Sequence, residues 1–306
     1  MDPSFDEYEL PRHRAILDTL MDFESIVTPG TGAILYSRRY SVTELPQNLR
    51  AAAAASALRL SSLDQAKRTY VSDLEDDPRP ASSELYRAAY RAARAHTLEA
   101  GERLKTNSKV ALSLGTYAAS VALQRAESGF MGAHLMYQLG LNFEGDAIAR
   151  QVLEQIAWSL AVAGLEQPDS IRKVKAHRSI TGLKATIPWA GDLYGELSAT
   201  THAGLSQHRT AFTARDDVQG VVLLAWSRLA ESAANLLLLA DAWGVVWELT
   251  QVDHMKKFSS LHSKKNPTVR AKRPILKLAK SLVSEIDVAE ASERAAYVPA
   301  NDRPDL

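Results

Sequence analysis

Apolar residues recur at helical spacing along most of the chain, which predicts one helix after another with short connections. The clearest helix runs from Asp146 to Gly164, where apolar residues cover most of the circumference, so a buried position is expected. Further helices are predicted over Gln47–Leu74, over Asn107–Arg125 and, after a turn near Ser128, over 129–141. This pattern favours an all-α protein, a multi-helix bundle of about eight helices.

Changes in composition divide the chain into three predicted parts. Residues 1–46 form an N-terminal arm, in which AILYSRRYSV predicts a short strand or extended segment. Residues 47–252 form a helical bundle domain that includes a loop over 205–219 and a very long helix over 218–251. Residues 253–306 form a C-terminal segment that is basic and then acidic. This segment is expected to be partly disordered apart from a last helix over Pro274–Ala291.

Composition argues against several classes of protein. The formal net charge is zero, so no global field attracts nucleic acid or a membrane, and without cysteine there is no disulfide or thiolate chemistry. We expect no signal peptide, because the first residues are acidic and lack an apolar run. Arg228, Glu231 and Asp241 interrupt the most apolar segment, which argues against a transmembrane span. These features suit a cytoplasmic protein.

Motifs of the common metal and phosphate enzymes are absent from the sequence. No histidine has an acidic residue three positions before it, as helical di-iron sites require, and no His-Glu-x-x-His occurs. The chain has no Gly-Lys dipeptide for a phosphate loop and no Gly-x-Ser-x-Gly elbow. We therefore expect no metal and no cofactor; the alternative is a site of unfamiliar spacing assembled from Glu144, Glu154 and scattered histidines.

Arg150 and Glu154 are the unusual residues of the apolar helix. Four residues apart, they share one edge of it, and charges on a buried helix must be paired because an unpaired one costs several kcal/mol. Candidate partners are Tyr194, Ser198 and His202, which share one face of a later predicted helix. His202 suits acid or base work near neutral pH, although a buried histidine is often only hydrogen-bonded to a neighbouring hydroxyl.

Two basic stretches are further candidates. Arg172 and His177 form an Arg-x4-His pattern like that of HEPN ribonucleases, but the same spacing recurs at Arg91 and His96, and a solvated basic helix face is the favoured interpretation. From His254 to Lys280 there are nine Lys or Arg residues and no Asp or Glu. This segment would bind phosphates or, alternatively, remain a disordered tail. The predicted phosphate contacts are Lys256, Lys257, Lys264 and Lys265.

The region from Ser128 to His202 resembles a bacterial all-helical family of unassigned function. The resemblance rests on Leu139–Ala147, on the Arg-x3-Glu of Arg150 and Glu154, and on a Tyr-x2-Leu-Ser-x3-His pattern, which comprises Tyr194, Leu197, Ser198 and His202. It covers about a quarter of the chain. These proteins are distantly similar to HEPN-type bundles, several of which act in toxin–antitoxin or anti-phage systems. The resemblance implies a HEPN-like core, to which this chain adds N-terminal helices and a basic C-terminal segment.

Two functional hypotheses follow. The first is a HEPN-like, RNA-directed effector, a metal-independent ribonuclease of a toxin or anti-phage defence system, which is expected to be a homodimer. In it His202 acts as acid or base, Arg150 stabilises phosphate charge, and Glu154 orients Arg150. The second is a non-catalytic helical scaffold that binds a partner protein or a small ligand. There, the same residues form a structural buried network.

Overall fold

The computed structural model describes residues 23–28, 32–37, 45–71, 81–104, 111–201, 212–215, 218–221 and 228–296. Within these residues the chain forms ten helices and four short strands. It divides into two compact units, residues 1–78 and 79–306. The predicted all-α multi-helix bundle is confirmed, since the strands form only two small hairpins. The division at residue 78 differs from the predicted boundaries at 46 and 252.

The first unit pairs a β-hairpin with two short helices. Strands β1 (Phe23–Thr28) and β2 (Gly32–Ser37) are antiparallel, with Phe23 opposite Ser37. The predicted strand is confirmed for part of AILYSRRYSV, and its partner strand was not predicted. Helix α1 (Leu45–Leu58) packs beside β1 and against α2 (Leu63–Tyr70). The helices meet through small buried side chains, Ala51, Ala55, Ala66 and Val71.

The single helix predicted over Gln47–Leu74 is wrong, because the chain turns between α1 and α2. Arg59 has a φ of 52°, a left-handed conformation that cannot continue a right-handed helix. Ser62 then begins α2 as its N-cap, and its side chain accepts a hydrogen bond from the Gln65 amide at 3.2 Å. A helix-ending turn and a capping serine therefore lie inside what composition alone suggests is one alanine-rich helix.

The second unit is the helical bundle. Its described helices are α3 (Ala81–Glu102), α4 (Leu114–Gln138), α5 (Asn142–Val162), α6 (Pro168–Lys173), α7 (Ala176–Thr186), α8 (Ala190–Thr201), α9 (Leu229–Thr250) and α10 (Pro274–Ala296). A second antiparallel hairpin, β3 (Phe212–Arg215) and β4 (Val218–Val221), lies between α8 and α9 in the chain. Two predictions are therefore wrong: residues 205–219 are not all loop, and the long helix begins at Leu229 rather than at Val218.

Helix α9 is the core of the bundle and packs against α3, α4, α5 and α10. Its indoles are hydrogen-bonded across helices: Trp243 Nε1 donates to the Leu123 carbonyl at 2.7 Å and Trp247 Nε1 to the Ala100 carbonyl at 3.1 Å. Among the described helices α9 alone is long and apolar enough to cross a membrane, yet 83% of its apolar window is buried inside the bundle. Such burial is typical of a core helix.

Helix α4 is one continuous helix, so the predicted turn at Ser128 is wrong. The glycines near Ser128 lie inside α4, where it packs against α5. A Cβ on Gly129 would lie 2.4 Å from Val152 Cγ2, so only glycine allows this close approach. Glycine is absent from most helix interiors because it weakens them. The packing of α4 on α5 is the reason that it is tolerated here.

Helix α10 confirms the last predicted helix and extends it to Ala296. It packs on α3 and α9, and its acids cap both of those helices. Glu290 accepts a hydrogen bond from the Leu229 amide at 2.8 Å, and Glu293 accepts one from the Ser82 amide at 2.9 Å. Through Ala296 the C-terminal segment is therefore part of the bundle. The expected disorder of the final residues concerns positions outside the described ranges.

Candidate functional site

Helix α5 carries three charged residues at four-residue intervals, Asp146, Arg150 and Glu154. This spacing places them in one stripe along the helix. Helix α8 packs against α5 and supplies several of the partners of these charges. We call the group of Arg150, Glu154, Tyr194 and Thr201 the α5–α8 cluster.

Every nitrogen of the Arg150 guanidinium that can donate has a protein partner. Nε donates to Glu154 Oε1 at 3.2 Å, Nη1 donates to Thr201 Oγ1 at 3.1 Å, and Nη2 lies 3.4 Å from the Tyr194 hydroxyl. The guanidinium carbon also lies 5.4 Å from the centre of the Tyr194 ring, within the range of a cation–π interaction. Three residues from two helices thus fix the orientation of one cation.

The cluster is only half buried. The Arg150 and Glu154 side chains are 27% and 21% exposed. The Tyr194 hydroxyl donates to Glu154 Oε1 at 3.0 Å, so Glu154 accepts from both the arginine and the tyrosine. A charge-assisted arrangement of this kind orients the guanidinium while part of it remains in contact with solvent. It can present a fixed positive charge to an anion.

Asp146 anchors a second, more deeply buried network one turn before Arg150. Its Oδ1 accepts from the Tyr137 hydroxyl at 2.7 Å and from Asn235 Nδ2 at 3.3 Å, while Arg228 Nη1 lies 3.8 Å from Oδ2. Burial raises the pKa of Asp146, and hydrogen bonds from Tyr137 and Thr200 together with the charge of Arg228 oppose that rise. Asp146 therefore joins α4, α5, α8 and the beginning of α9.

The structure brings together three of the predicted site residues: Arg150, Glu154 and Tyr194. Ser198 lies on the same helix as Tyr194, but its buried Oγ has no hydrogen-bond partner among the described residues. Thr201, rather than Ser198, provides the hydroxyl that accepts a hydrogen bond from Arg150. His202 lies outside the described residues, directly after Thr201 in the chain, so its role stays a prediction.

The Arg-x4-His residues lie elsewhere on the surface of the bundle. Arg172 is in α6, where Nη1 donates to Asp169 Oδ1 at 3.1 Å and both side chains are largely exposed. His177 is in α7 and is exposed. Among the described residues neither is hydrogen-bonded or ion-paired to the α5–α8 cluster. Their surroundings match the favoured interpretation of a solvated basic face.

The predicted phosphate-binding lysines lie at the opposite end of α9. Lys256, Lys257, Lys264 and Lys265 are exposed on the chain that follows this helix, and Lys264 Nζ forms an ion pair with Asp253 Oδ1 at 2.9 Å. The Asp146 network contacts α9 at Asn235, whereas the segment that carries these lysines is hydrogen-bonded to α9 at Glu248. Those positions are 13 residues apart, about 20 Å along a helix. These lysines therefore form a group separate from the α5–α8 cluster.

Sequence reasoning missed Asp146, Thr201 and Asn235. The sequence predicts that the central helix begins at Asp146, but α5 begins one turn earlier at Asn142. The spacing of four between Asp146 and Arg150 was the available signal. Within the described part of the chain no three His, Cys, Asp or Glu side chains are grouped as metal ligands would be. Comparison of the chain with protein-family models, with curated proteins and with solved structures finds no match.

Proposed function

We propose that this protein is a HEPN-like, RNA-directed effector that cleaves RNA without a metal ion at the α5–α8 cluster. One observation carries the proposal: the Arg150 guanidinium is oriented by Glu154, Tyr194 and Thr201 yet remains 27% exposed. Arginine matches the geometry of a phosphate better than lysine does, because its donors are planar and fixed. A cation oriented in advance stabilises a transition state without reorganisation.

The proposed reaction needs a base, an acid and a positive charge. The 2′-hydroxyl of a ribose loses its proton to the base and its oxygen bonds to the adjacent phosphorus. The bond from phosphorus to the 5′-oxygen then breaks, and that oxygen receives a proton from the acid. Arg150 stabilises the negative charge on the phosphorus oxygens, and His202, next to Thr201, exchanges the protons. Glu154 acts as a positioning residue for Arg150.

The expected biological setting belongs to the same proposal. A metal-independent ribonuclease of this kind fits a toxin or anti-phage defence system in the cytoplasm. Two further predictions belong to this proposal: the protein forms a homodimer, and it binds a partner protein.

The direct test incubates the purified protein with total RNA and transfer RNA in the presence of a chelator. We expect the parent protein to cleave RNA and leave 2′,3′-cyclic phosphate ends. Arg150→Gln and His202→Ala should each lower the rate about 100-fold or more. Matched controls are Arg172→Gln and His177→Gln, which change the same residue types at exposed positions. The proposal would be contradicted if the parent protein does not cleave RNA without metal, or if the control variants lose as much activity as Arg150→Gln.

A second function, the non-catalytic helical scaffold, is favoured by the complete pairing of Arg150. A guanidinium whose Nε, Nη1 and Nη2 all have protein partners is also what a structural network needs. In that case Arg150→Gln and Tyr194→Phe lower the melting temperature, and the parent protein has no cleavage to lose. Thermal unfolding of these variants beside the cleavage assay separates the two functions.

A further inference from the structure

A basic loop follows α9 and lies at the far end of the bundle core from the α5–α8 cluster. We call residues 251–273, together with the first two turns of α10, the cationic loop. Its nine Lys and Arg residues divide into two classes. Arg273 and Arg270 serve the fold, and Lys264 pairs with Asp253. The other six are exposed and form no ion pair with a described residue: Lys256, Lys257, Lys265, Lys272, Lys277 and Lys280.

Buried carboxylates of α9 anchor the backbone of this loop. Glu248 has no exposed surface, and its oxygens accept from the backbone amides of Ser259, Ser260 and Leu261 at 2.8, 2.9 and 2.9 Å. Arg103 Nη1 donates to Glu248 Oε1 at 2.8 Å. A buried carboxylate is stable only while such donors stay in place, because the loss of one leaves a buried charge without compensation. The loop backbone is therefore tied to the core.

A second anchor lies two turns earlier in α9. Arg273 Nε and Nη2 each donate to one oxygen of Asp241 at 2.6 Å, and both side chains are buried. Between the anchors the loop pairs with itself, since the His262 amide donates to the Thr268 carbonyl at 3.0 Å. Cations on an ordered backbone lose less conformational entropy on binding than cations on a disordered tail. The loop is thus a preorganised surface.

We propose that the cationic loop binds the phosphate backbone of RNA at a distance from the α5–α8 cluster, so that the substrate is an extended strand rather than a nucleotide. The choice of RNA rests on the proposed function, whereas the phosphate-binding surface rests on the loop alone. The two anchors of the loop on α9, Asp241 and Glu248, lie about 9 Å and about 20 Å along the helix from Asn235, where the Asp146 network meets α9. A strand of several nucleotides is therefore needed to reach from the α5–α8 cluster to the distant part of the loop.

The exposed side chains favour nucleic acid over an anionic membrane as the partner. Stable binding at a membrane surface needs apolar side chains or a lipid anchor besides basic residues. Among the described residues, no large apolar side chain of 251–273 is strongly exposed, and only Leu278 is so at the beginning of α10. The loop therefore presents charge with little to insert into a bilayer. Six separated lysines match the repeated phosphates of a nucleic-acid strand better than they match a membrane surface.

The test measures binding of 2′-O-methyl RNA, which lacks the hydroxyl required for cleavage, by fluorescence anisotropy at several salt concentrations in a chelator. Six phosphate contacts on a single strand predict a slope of log affinity against log salt of about −4. The double variant Lys256→Gln/Lys257→Gln should make this slope less steep by about 1.4. It should also weaken binding about tenfold at low salt. The matched control, Lys173→Gln/Lys175→Gln, removes two exposed lysines from another surface and should change affinity less than about twofold.

Each outcome decides the matter. Loss confined to the loop variant, with a 30-nucleotide probe binding more tightly than a 4-nucleotide probe, supports the proposal. Equal losses in the loop variant and the control would show that only net charge matters, and would overturn it. Equal affinity for the two probe lengths would overturn it too, as would tighter binding to phosphatidylserine vesicles than to RNA. Failure of the proposed cleavage gives a different result. In that case the parent protein binds unmodified RNA with the same salt dependence but does not cleave it.

Discussion

The two ends of α9 hold buried acidic side chains in different ways. At the C-terminal end, Asp241 faces Arg273 through two hydrogen bonds of 2.6 Å, and Glu248 accepts three backbone amides and Arg103. At the N-terminal end, Asp146 is held mainly by neutral hydroxyl and amide groups, and its nearest cation, Arg228, is 3.8 Å away. A cation is therefore hydrogen-bonded directly to the buried carboxylate at the C-terminal end only, whereas at the N-terminal end the ion pair is longer.

This difference separates structural polar groups from candidate chemical ones. A buried pair with full compensation fixes a conformation, and removal of one partner is costly. Burial raises the pKa of Asp146 and of Asp241 alike, so the contrast lies in the arginines: the Arg150 side chain is 27% exposed, whereas Arg273 is buried. A perturbed carboxyl group near an accessible cation is more typical of functional sites. The predictions below test this contrast between the two ends.

The largest effect is expected at the C-terminal end. Arg273→Met leaves Asp241 buried without its partner and should lower the free energy of unfolding by about 3–5 kcal/mol. The double variant Asp241→Leu/Arg273→Met removes both charges and should recover most of that loss, because a buried ion pair contributes little over apolar packing. Urea denaturation measures both. A loss below about 1 kcal/mol in the single variant would contradict the structural assignment.

A pH effect is expected near the other end, at His134. Its ring stacks on Tyr90 and its Nδ1 lies 3.0 Å from the Tyr86 hydroxyl, while burial, aided by the charge of Arg87, lowers the pKa of His134 to about 3. The unfolded chain binds a proton near pH 6.5, whereas the folded protein does not, so stability falls as the pH drops from 6.5 towards 3. The contribution of His134 to this loss at pH 5 should be about 2 kcal/mol relative to neutral pH, and His96, whose pKa burial lowers to about 4, adds to it in the parent protein.

The variant His134→Phe isolates this contribution. Phenylalanine keeps the ring stacking, and the Tyr86 hydroxyl retains the His134 backbone carbonyl as an acceptor at 3.3 Å. The difference between its unfolding profile and that of the parent protein should grow below pH 6.5. His177→Gln, at an exposed position, is the control and should leave the profile unchanged. Parallel profiles for the parent and His134→Phe would be evidence against a buried neutral histidine.

The smallest effects compare packing at two glycines. A Cβ on Gly244, near the C-terminal end of α9, would lie 2.5 Å from His96 Nε2, so Gly244→Ala should cost about 1–3 kcal/mol. A Cβ on Gly195, beside Tyr194 in α8, would meet nothing within 4 Å. Gly195→Ala should therefore stabilise the protein by about 0.5–1 kcal/mol through helix propensity. If both variants changed the melting temperature by a similar amount, the proposed difference in packing between the two glycines would be contradicted.

Sequence patterns predicted the helical class because apolar periodicity over long segments is a strong signal. They failed where tertiary packing overrides local propensity. The sequence predicts a turn near Ser128, but this position and Gly129 lie inside α4, where Gly129 closely approaches Val152. Residues Val218–Val221 were placed in a helix, but they pair with Phe212–Arg215 as a hairpin. Neither feature is visible without the partner that causes it.

The candidate site was predicted in part for the same reason. Arg150 and Glu154 were found because charges on an apolar helix require partners, and Tyr194 is such a partner. Thr201 was missed because several hydroxyl residues of α8 are equally plausible from spacing alone. The order of the cationic loop was also missed, since basic composition does not indicate that Glu248 and Asp241 anchor it from inside.

One paired measurement tests the central claim, that the α5–α8 cluster is chemical and the C-terminal end of α9 is structural. The metal-free RNA cleavage rate and the free energy of unfolding are determined together for the parent protein, Arg150→Gln and Arg273→Met. We predict that Arg150→Gln loses about 100-fold in rate while losing only about 1–2 kcal/mol of stability. Arg273→Met should lose about 3–5 kcal/mol but cleave at the parental rate per folded molecule. Cleavage that follows stability alone in both variants would contradict the account.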